Sequence, residues 1–354
     1  MPHEAEVVVI GAGLAGLTAA ASLQASGVDV VCLEARERVG GRASSVGGWL
    51  DLGATWFWDG QAAIAETVAA LGLATYPQVL DGDALIERAP GEALRMDGNP
   101  IDRPGRRLRE GMQSVPLALA RSLTVKTSAP VRSITFRADS LAEVATDDET
   151  YVASTVLLAV PPRLAVESID FQPALPPGVV DAARAVHTWM SDTVKVVARY
   201  ATAFWRDAGW AGAALSHAGP FCEFHDHSGP EANQAALFGF APAARLGGAA
   251  QDEIVERFCG HVERLWGPGA PAPLEVHVAD WSADGYTTAG VATSSTAWYY
   301  GTPLLRLPHF GGRLVFCSTE TAPAFPGYLE GAVLAGRRAA GQAQEHLAGV
   351  GRQA

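Results

Sequence analysis

The chain has 354 residues, 48% of them hydrophobic, and a formal net charge of −12. That is enough apolar material for a large core and two domains, while the acidic balance argues against nucleic acid or an anionic membrane as a partner. No apolar run approaches the ~18 residues of a membrane span and no signal peptide is evident, so the expectation is a cytoplasmic protein.

Residues Glu6 to Ile10 form a short β-branched run with no polar interruption after Glu6, as expected of a parallel strand covered on both faces. It runs straight into Gly11-Ala12-Gly13-Leu14-Ala15-Gly16. In a βαβ unit the first glycine makes the turn, the second lets a pyrophosphate approach the backbone, and the third lets the helix lie close to the strand. A helix is expected over Leu14 to Ser26, ending at Gly27, and a second strand over Val28 to Leu33. Glu34 closes that strand, where an acidic side chain accepts hydrogen bonds from a ribose and repels a 2′-phosphate, which disfavours NADP. The following Ala35-Arg36-Glu37-Arg38-Val39-Gly40-Gly41-Arg42 adds a second glycine pair and an arginine that can approach the same diphosphate, and this favours FAD over NAD.

Further along, alternating runs at Thr193 to Tyr200, Ala235 to Phe240 and Leu274 to Val278 suggest a sheet, and Ala249 to Trp266 a helix. Lysine occurs only at positions 126 and 195 among 26 basic residues. A lysine within an apolar strand is costly to bury without partners, so Lys195 is a site candidate; the competing reading is an edge-strand lysine facing solvent. His225-Asp226-His227 reads as an exposed turn in HDHSGP, and no metal centre is expected. Cys32, Cys222, Cys259 and Cys317 form no CxxC pair and are expected as reduced, mostly buried thiols.

Leu314 to Cys317 is strand-like and is followed by TETAPAFPGYLEGAV, from which a helix is expected over Tyr328 to Leu347. Its N-terminus would present free N–H groups and a positive dipole end, suited to the pyrimidine side of an isoalloxazine. At this point the chain resembles the flavin-containing amine oxidase family, which includes monoamine, polyamine and L-amino-acid oxidases. The resemblance is carried by VVVIGAGLAGLTAA, LEARERVGGR, DLGATW at Asp51 to Trp56, VLLAVPPRL at Val156 to Leu164, and TETAPAFPGYLEGAV, in order along nearly the whole chain.

The resemblance implies an α/β architecture in which a Rossmann-like FAD-binding domain is interleaved with a smaller α+β substrate domain on a mixed sheet. The expected division is residues 1–80, 105–176 and 284–350 for the FAD domain, and 81–104 and 177–283 for the substrate domain. It also implies FAD contacts at Gly11, Gly13, Leu14, Ala15, Gly16, Glu34, Ala35, Arg36, Gly41 and Arg42, and at Gly53, Ala54, Thr55, Trp56 and Trp281. Val131 is implied beside the adenine, and Thr319, Glu320, Tyr328 and Leu329 beside the flavin. Lys195 matches the lysine that reaches flavin N5 through a water, and Tyr328 matches one of two aromatics flanking the substrate. The implied reaction takes a small amine and O2 to an imine and hydrogen peroxide.

Departures from the family pattern are informative. Ser318 stands where glycine is usual; Val291 replaces the second cage aromatic, with Trp56, Trp281, Trp298 or Tyr299 as candidate substitutes; and Gly290 replaces a flavin-linking cysteine, so FAD is expected to be non-covalent. Arg95, Arg206 and Arg306 are candidates for binding a substrate carboxylate. Only about two dozen residues separate Leu80 from Pro104, where relatives carry a longer helical roof. This shortening implies an open site for a bulky or carrier-borne amine, or a site completed by a second copy of the chain in a homo-oligomer. Two competing readings remain: a desaturase or dehydrogenase of C–C or C–H bonds, like protoporphyrinogen oxidase or phytoene desaturase, and a non-catalytic FAD-stabilised binding protein.

Overall fold

A computed structural model describes residues 2–231, 233–289 and 302–351. The first sheet is built around strand His3–Ile10, which lies parallel to Val30–Leu33 on one side and to Thr150–Leu158 on the other. Thr124–Lys126 extends the sheet beyond Val30–Leu33. Strand Thr150–Leu158 divides its partners: its first half pairs antiparallel with Ala142–Thr146, and its end runs parallel to Leu314–Phe316. The C-terminal part of the chain thus returns to the middle of the N-terminal sheet.

Val7, Val8 and Val9 are fully buried because both faces of the sheet are covered. On one face sit helices Leu14–Ala25 and Leu329–Val350, which cross in backbone contact: a Cβ on Gly336 would stand 2.5 Å from the Ala15 carbonyl oxygen. On the other face Ile134, Leu158 and Phe316 pack with helix Pro177–Ala185. The second strand begins at Val30, two residues later than expected, because Val28 closes the end of the preceding helix with a bond to the Leu23 carbonyl.

The second sheet has seven strands, in the order Glu275–Asp280, Thr193–Tyr200, Ala235–Pro242, Glu223–Asp226, Trp210–Ser216, Asp83–Glu87 and Ala93–Met96. It is mixed, with the pair Trp210–Ser216 and Asp83–Glu87 parallel. The last two strands form a hairpin inside the segment that separates Leu80 from Pro104, so this short stretch extends the sheet. One face of the sheet carries Val194, Val196, Leu237 and Phe224 against helix Gln251–Trp266. The opposite face, with Val197, Ala236 and Phe238, packs on Val46, Trp49, Leu52 and Trp56. That contact seats the Gly53–Trp56 segment between the two sheets.

Candidate active site

Gly11 occupies the turn after the first strand with φ +101°, a region that glycine enters without strain. A Cβ on Gly16 would stand 2.0 Å from the Gly11 carbonyl oxygen and 2.9 Å from the Ala159 Cβ, so only glycine lets the helix lie on the strand. Gly13 has the opposite environment: a Cβ there would meet nothing within 4 Å, and the residue lines a cavity of about 700 Å³. The helix that follows has no side-chain cap and no acid in its first turn, so its leading N–H donors lack side-chain acceptors at that end. Open space before Gly13 and uncapped donors are what a diphosphate requires, and the residues present fit a dinucleotide.

The same cavity is lined by Leu14, Ala15, Glu34, Ala35, Arg36, Gly41, Arg42, Gly53, Ala54, Thr55, Trp56, Val131, Trp281, Thr319, Tyr328 and Leu329. Three of the expected site residues stand outside its wall. Gly16 is packed under the turn, Glu320 is fully buried 2.7 Å from an Arg42 guanidinium nitrogen, and Lys195 is fully buried.

Glu34 lies at the end of its strand with both oxygens engaged: one accepts the Ala12 N–H and the other the Arg36 N–H, each at 2.9 Å. It therefore clamps the glycine turn as well as facing the cavity. Arg36 donates to Asp284 at 2.6 Å and to Thr287 at 3.0 Å, and Arg42 also donates to the Trp189 carbonyl at 3.0 Å. Both guanidiniums are thus held by protein partners. Ser318 has φ −76° and ψ 158°, an ordinary extended conformation, so serine fits there without a glycine's freedom.

Around Tyr328, which keeps 40% of its surface exposed, three aromatic rings gather. Trp189 stacks at 5.8 Å, Trp58 meets it edge-on at 6.0 Å, and Phe325 lies at 6.5 Å. The Tyr328 carbonyl is fixed by the Thr319 hydroxyl at 2.8 Å. Trp56 is held by Gln78 at 2.8 Å, and Trp281 by the Leu52 carbonyl at 3.0 Å. Trp58 and Trp189 line the cavity and escaped the sequence reading; the one available signal was the position of Trp189, six residues before Lys195. Gly290, Val291, Trp298 and Tyr299 lie outside the described residues.

Lys195 sits on an interior strand, not an edge strand. Its ammonium nitrogen donates to the Gly53 carbonyl at 3.0 Å and to the Thr55 hydroxyl at 2.6 Å, and lies 4.0 Å from the centre of the Phe238 ring. Burial pushes its pKa well down; Asp51 opposes this and Arg107 reinforces it. Asp51, buried as well, is pushed up by burial against the pull of Arg107 and Lys195, and accepts from the Met112 N–H at 2.6 Å and the Ser45 hydroxyl at 2.7 Å.

The HDH sequence is a correction. Instead of an exposed turn, His225 and Asp226 end the strand Glu223–Asp226, and all three residues of the motif are buried. Distant partners engage each residue, although His225 Nε2 and His227 Nδ1 form no hydrogen bond: His225 Nδ1 lies 2.6 Å from Asp102, Asp226 accepts from Trp205 and Arg206, and His227 Nε2 accepts the Asp51 N–H at 2.8 Å. Among the described residues no group of three or more His, Cys, Asp or Glu is arranged to hold a metal. Cys32 and Cys317 are buried thiols, and Cys222 and Cys259 are half-buried. The arginines expected to offer a carboxylate site do not line the cavity. Arg95 pairs with Asp83 across Trp210, and Arg206 with Asp226. No described helix is long and apolar enough to cross a membrane.

Comparison with known proteins agrees with this architecture. Residues 9–71 match the NAD(P)-binding Rossmann-like domain, and residues 91–344 match the flavin containing amine oxidoreductase family. A flavin-containing amine oxidase of Danio rerio is 27% identical over 453 aligned positions, covering 94% of this chain and 84% of that protein. The flavin-containing amine oxidase B of Homo sapiens is 25% identical, covering 96% and 86%. Among solved structures, putrescine oxidase bound to putrescine superposes with a TM-score of 0.84 at 22% identity, over 98% of this chain and 100% of the other. Cyclohexylamine oxidase from Brevibacterium oxydans IH-35A gives 0.84 at 21%, over 97% and 99%; these two likenesses establish the fold. With a Rossmann turn, a cavity suited to a dinucleotide and a family match over most of its length, the chain is an FAD-dependent oxidoreductase and belongs to the flavin containing amine oxidoreductase family.

Proposed function

We propose that the protein oxidises the C–N bond of an amine to an imine, which water then hydrolyses, with the amine bound at the Tyr328 end of the cavity. Bound FAD would supply the redox chemistry, accepting a hydride equivalent from the amine α-carbon at N5 and passing the electrons to O2 to give hydrogen peroxide. The observation that carries the reading is the joining, in one cavity, of the glycine turn with the aromatic wall of Tyr328, Trp189 and Trp58, and with Lys195 immediately behind Gly53 and Thr55.

The protein's residues divide the work. Gly11, Gly13 and the N-terminus of helix Leu14–Ala25 would hold the diphosphate, Glu34 the ribose and Val131 the adenine side, while Gly53 to Trp56, Thr319 and Leu329 would flank the flavin ring. The cofactor would be held without a covalent link, since glycine stands at position 290, where the family resemblance places the flavin-linking cysteine. The aromatic wall excludes water and lowers the pKa of a bound ammonium, which favours the neutral amine needed for oxidation. Lys195 holds its proton at Nζ against the Gly53 carbonyl and the Thr55 hydroxyl, immediately behind the cavity wall, and its depressed pKa would make that proton easier to release.

Anaerobic mixing with primary and secondary amines should bleach the flavin absorbance. Bleaching by polyenes or porphyrinogens alone, or by no compound of either kind, would overturn the proposal. Lys195→Met should slow reoxidation by oxygen more than flavin reduction; equal reoxidation rates in stopped flow would remove Lys195 from that role.

A further inference from the structure

The charges around the cavity are unevenly distributed. Its arginines, Arg36, Arg42 and Arg132, all belong to the half that carries the glycine turn. The half contributed by the second sheet has no lysine or arginine among the described lining residues and presents Asp192 and Glu223. The sequence from 290 to 301 contains no lysine, arginine or histidine either. A substrate carboxylate would therefore find no lysine or arginine at this end, whereas a second ammonium would find the carboxylates of Asp192 and Glu223.

Strand register places Glu223 with respect to Lys195. Lys195 is paired with Phe240, and Phe240 with Glu223, across three adjacent antiparallel strands. Directly paired residues project to the same face, so Glu223 lies on the Lys195 face two strands away, roughly 10 Å between backbones at the usual strand spacing. Behind it, His225 is only 6% exposed, with its ring against Trp56 at 5.1 Å and Phe238 at 5.0 Å. His225 Nδ1 is held by Asp102 at 2.6 Å, while Nε2 has no hydrogen-bond partner and points to Glu223 from 3.5 Å, an ion-pair distance. Burial works against a charge on His225, but Asp102 and Glu223 outweigh it and raise its pKa. The same contact holds the Glu223 carboxyl below its ordinary range. Glu223 is thus a carboxyl held towards its ionised form, braced from behind, on a half of the cavity whose described lining carries no lysine or arginine.

We propose that Glu223, positioned by His225 and Asp102, binds the second ammonium of a diamine or oligoamine substrate whose first amine is oxidised at the Tyr328 end. The inference rests on the amine-oxidation reading and names the substrate class of that site. Asp102 lies in the stretch between Leu80 and Pro104, shortly after the hairpin that extends the second sheet, so that stretch supplies the brace.

The test compares α,ω-diamines of increasing length with n-alkylamines of the same length. The FAD-loaded parent should prefer diamines, with kcat/KM greatest at one length because the separation between the reacting carbon and Glu223 is fixed. Loss of one charge-assisted contact corresponds to on the order of 10- to 100-fold, so Glu223→Gln should reduce the diamine-to-monoamine ratio of kcat/KM by that factor, chiefly through KM. Asp102→Asn should move the ratio in the same direction by a smaller factor. An unchanged ratio in a Glu223→Gln protein that retains its FAD would overturn the proposal, as would a loss of preference in Asp192→Asn alone. If neither diamines nor monoamines bleach the flavin, the amine-oxidation reading itself fails; if monoamines bleach it and diamines gain nothing from Glu223, only the present inference fails.

Discussion

Gly13 and Gly16 stand three residues apart in one turn, yet an added methyl should have opposite consequences at each. At Gly13, with φ −74° and ψ 178°, the backbone accepts any L residue, and the Cβ enters open cavity. Gly13→Ala should therefore leave the apoprotein as stable as the parent or more stable by about 0.4–1 kcal/mol, through lost freedom of the unfolded chain. The methyl would occupy the approach of the diphosphate. Displacing one charge-assisted bond to the helix N-terminus costs about 1.5–3 kcal/mol, which is on the order of 10- to 100-fold in the Kd for FAD. At Gly16 the Cβ would stand 2.0 Å from the Gly11 carbonyl oxygen, with Ala159 only 2.9 Å away. The helix would have to lift off the strand, at a cost of about 1–3 kcal/mol or more in the apoprotein. Urea denaturation of both apo variants followed by tryptophan fluorescence, together with FAD titration, separates the two. Parent-like FAD affinity in Gly13→Ala, or an equal loss of apo stability in both variants, would refute the reasoning.

Other consequences concern the framework. Glu330 is 4% exposed and its carboxylate accepts the Ala63 and Ile64 N–H groups at 3.1 and 2.8 Å, capping helix Ala62–Ala70 from 267 residues away. Glu330→Ala should cost about 2–4 kcal/mol for two buried donors left unpaired, and Glu330→Gln less; a shift in the urea midpoint worth under 0.5 kcal/mol for the alanine variant would contradict this cap. His261 is fully buried beside Glu87, and burial, aided by Arg264, pushes its pKa down to about 4 from 6.5. The unfolded chain takes up that proton first, so this contribution to stability is complete above pH 6.5 and declines as the pH falls towards 4. Between pH 7.5 and 5 the urea midpoint should therefore drop more in the parent than in His261→Gln, and equal drops would rule the assignment out.

The nucleotide half of the site was legible because its signals are local. A β-branched strand, three glycines with distinct steric duties, an uncapped helix and an acid at the next strand end all lie within residues 6–34. The substrate half depends on pairings the sequence does not display. Trp58 and Trp189 become part of an aromatic wall only when strand Phe57–Trp58 and the loop before the Lys195 strand converge on Tyr328. His225 and His227 read as polar turn residues because Ser228-Gly229-Pro230 follow them, yet they are buried because Asp102, Asp51 and the sheet register supply partners from elsewhere in the chain. Residues 83–96 gave no periodic signal strong enough to announce a hairpin, since one of its strands carries a half-exposed edge. Lys195 was found by rarity and strand context, but its placement behind Gly53 and Thr55 required the packing of the second sheet on the segment from Val46 to Trp56.

The central claim is that distant parts of the chain close on a single cavity that holds FAD with its reactive end at the aromatic wall. Titrating apoprotein with FAD while following tryptophan emission tests it most directly, because Trp56, Trp58, Trp189 and Trp281 all line that cavity. Saturable quenching at one FAD per chain is expected, with a yellow protein whose flavin is released intact on denaturation. Colourless protein that takes up no FAD, or FAD bound with no change in tryptophan emission, would contradict it.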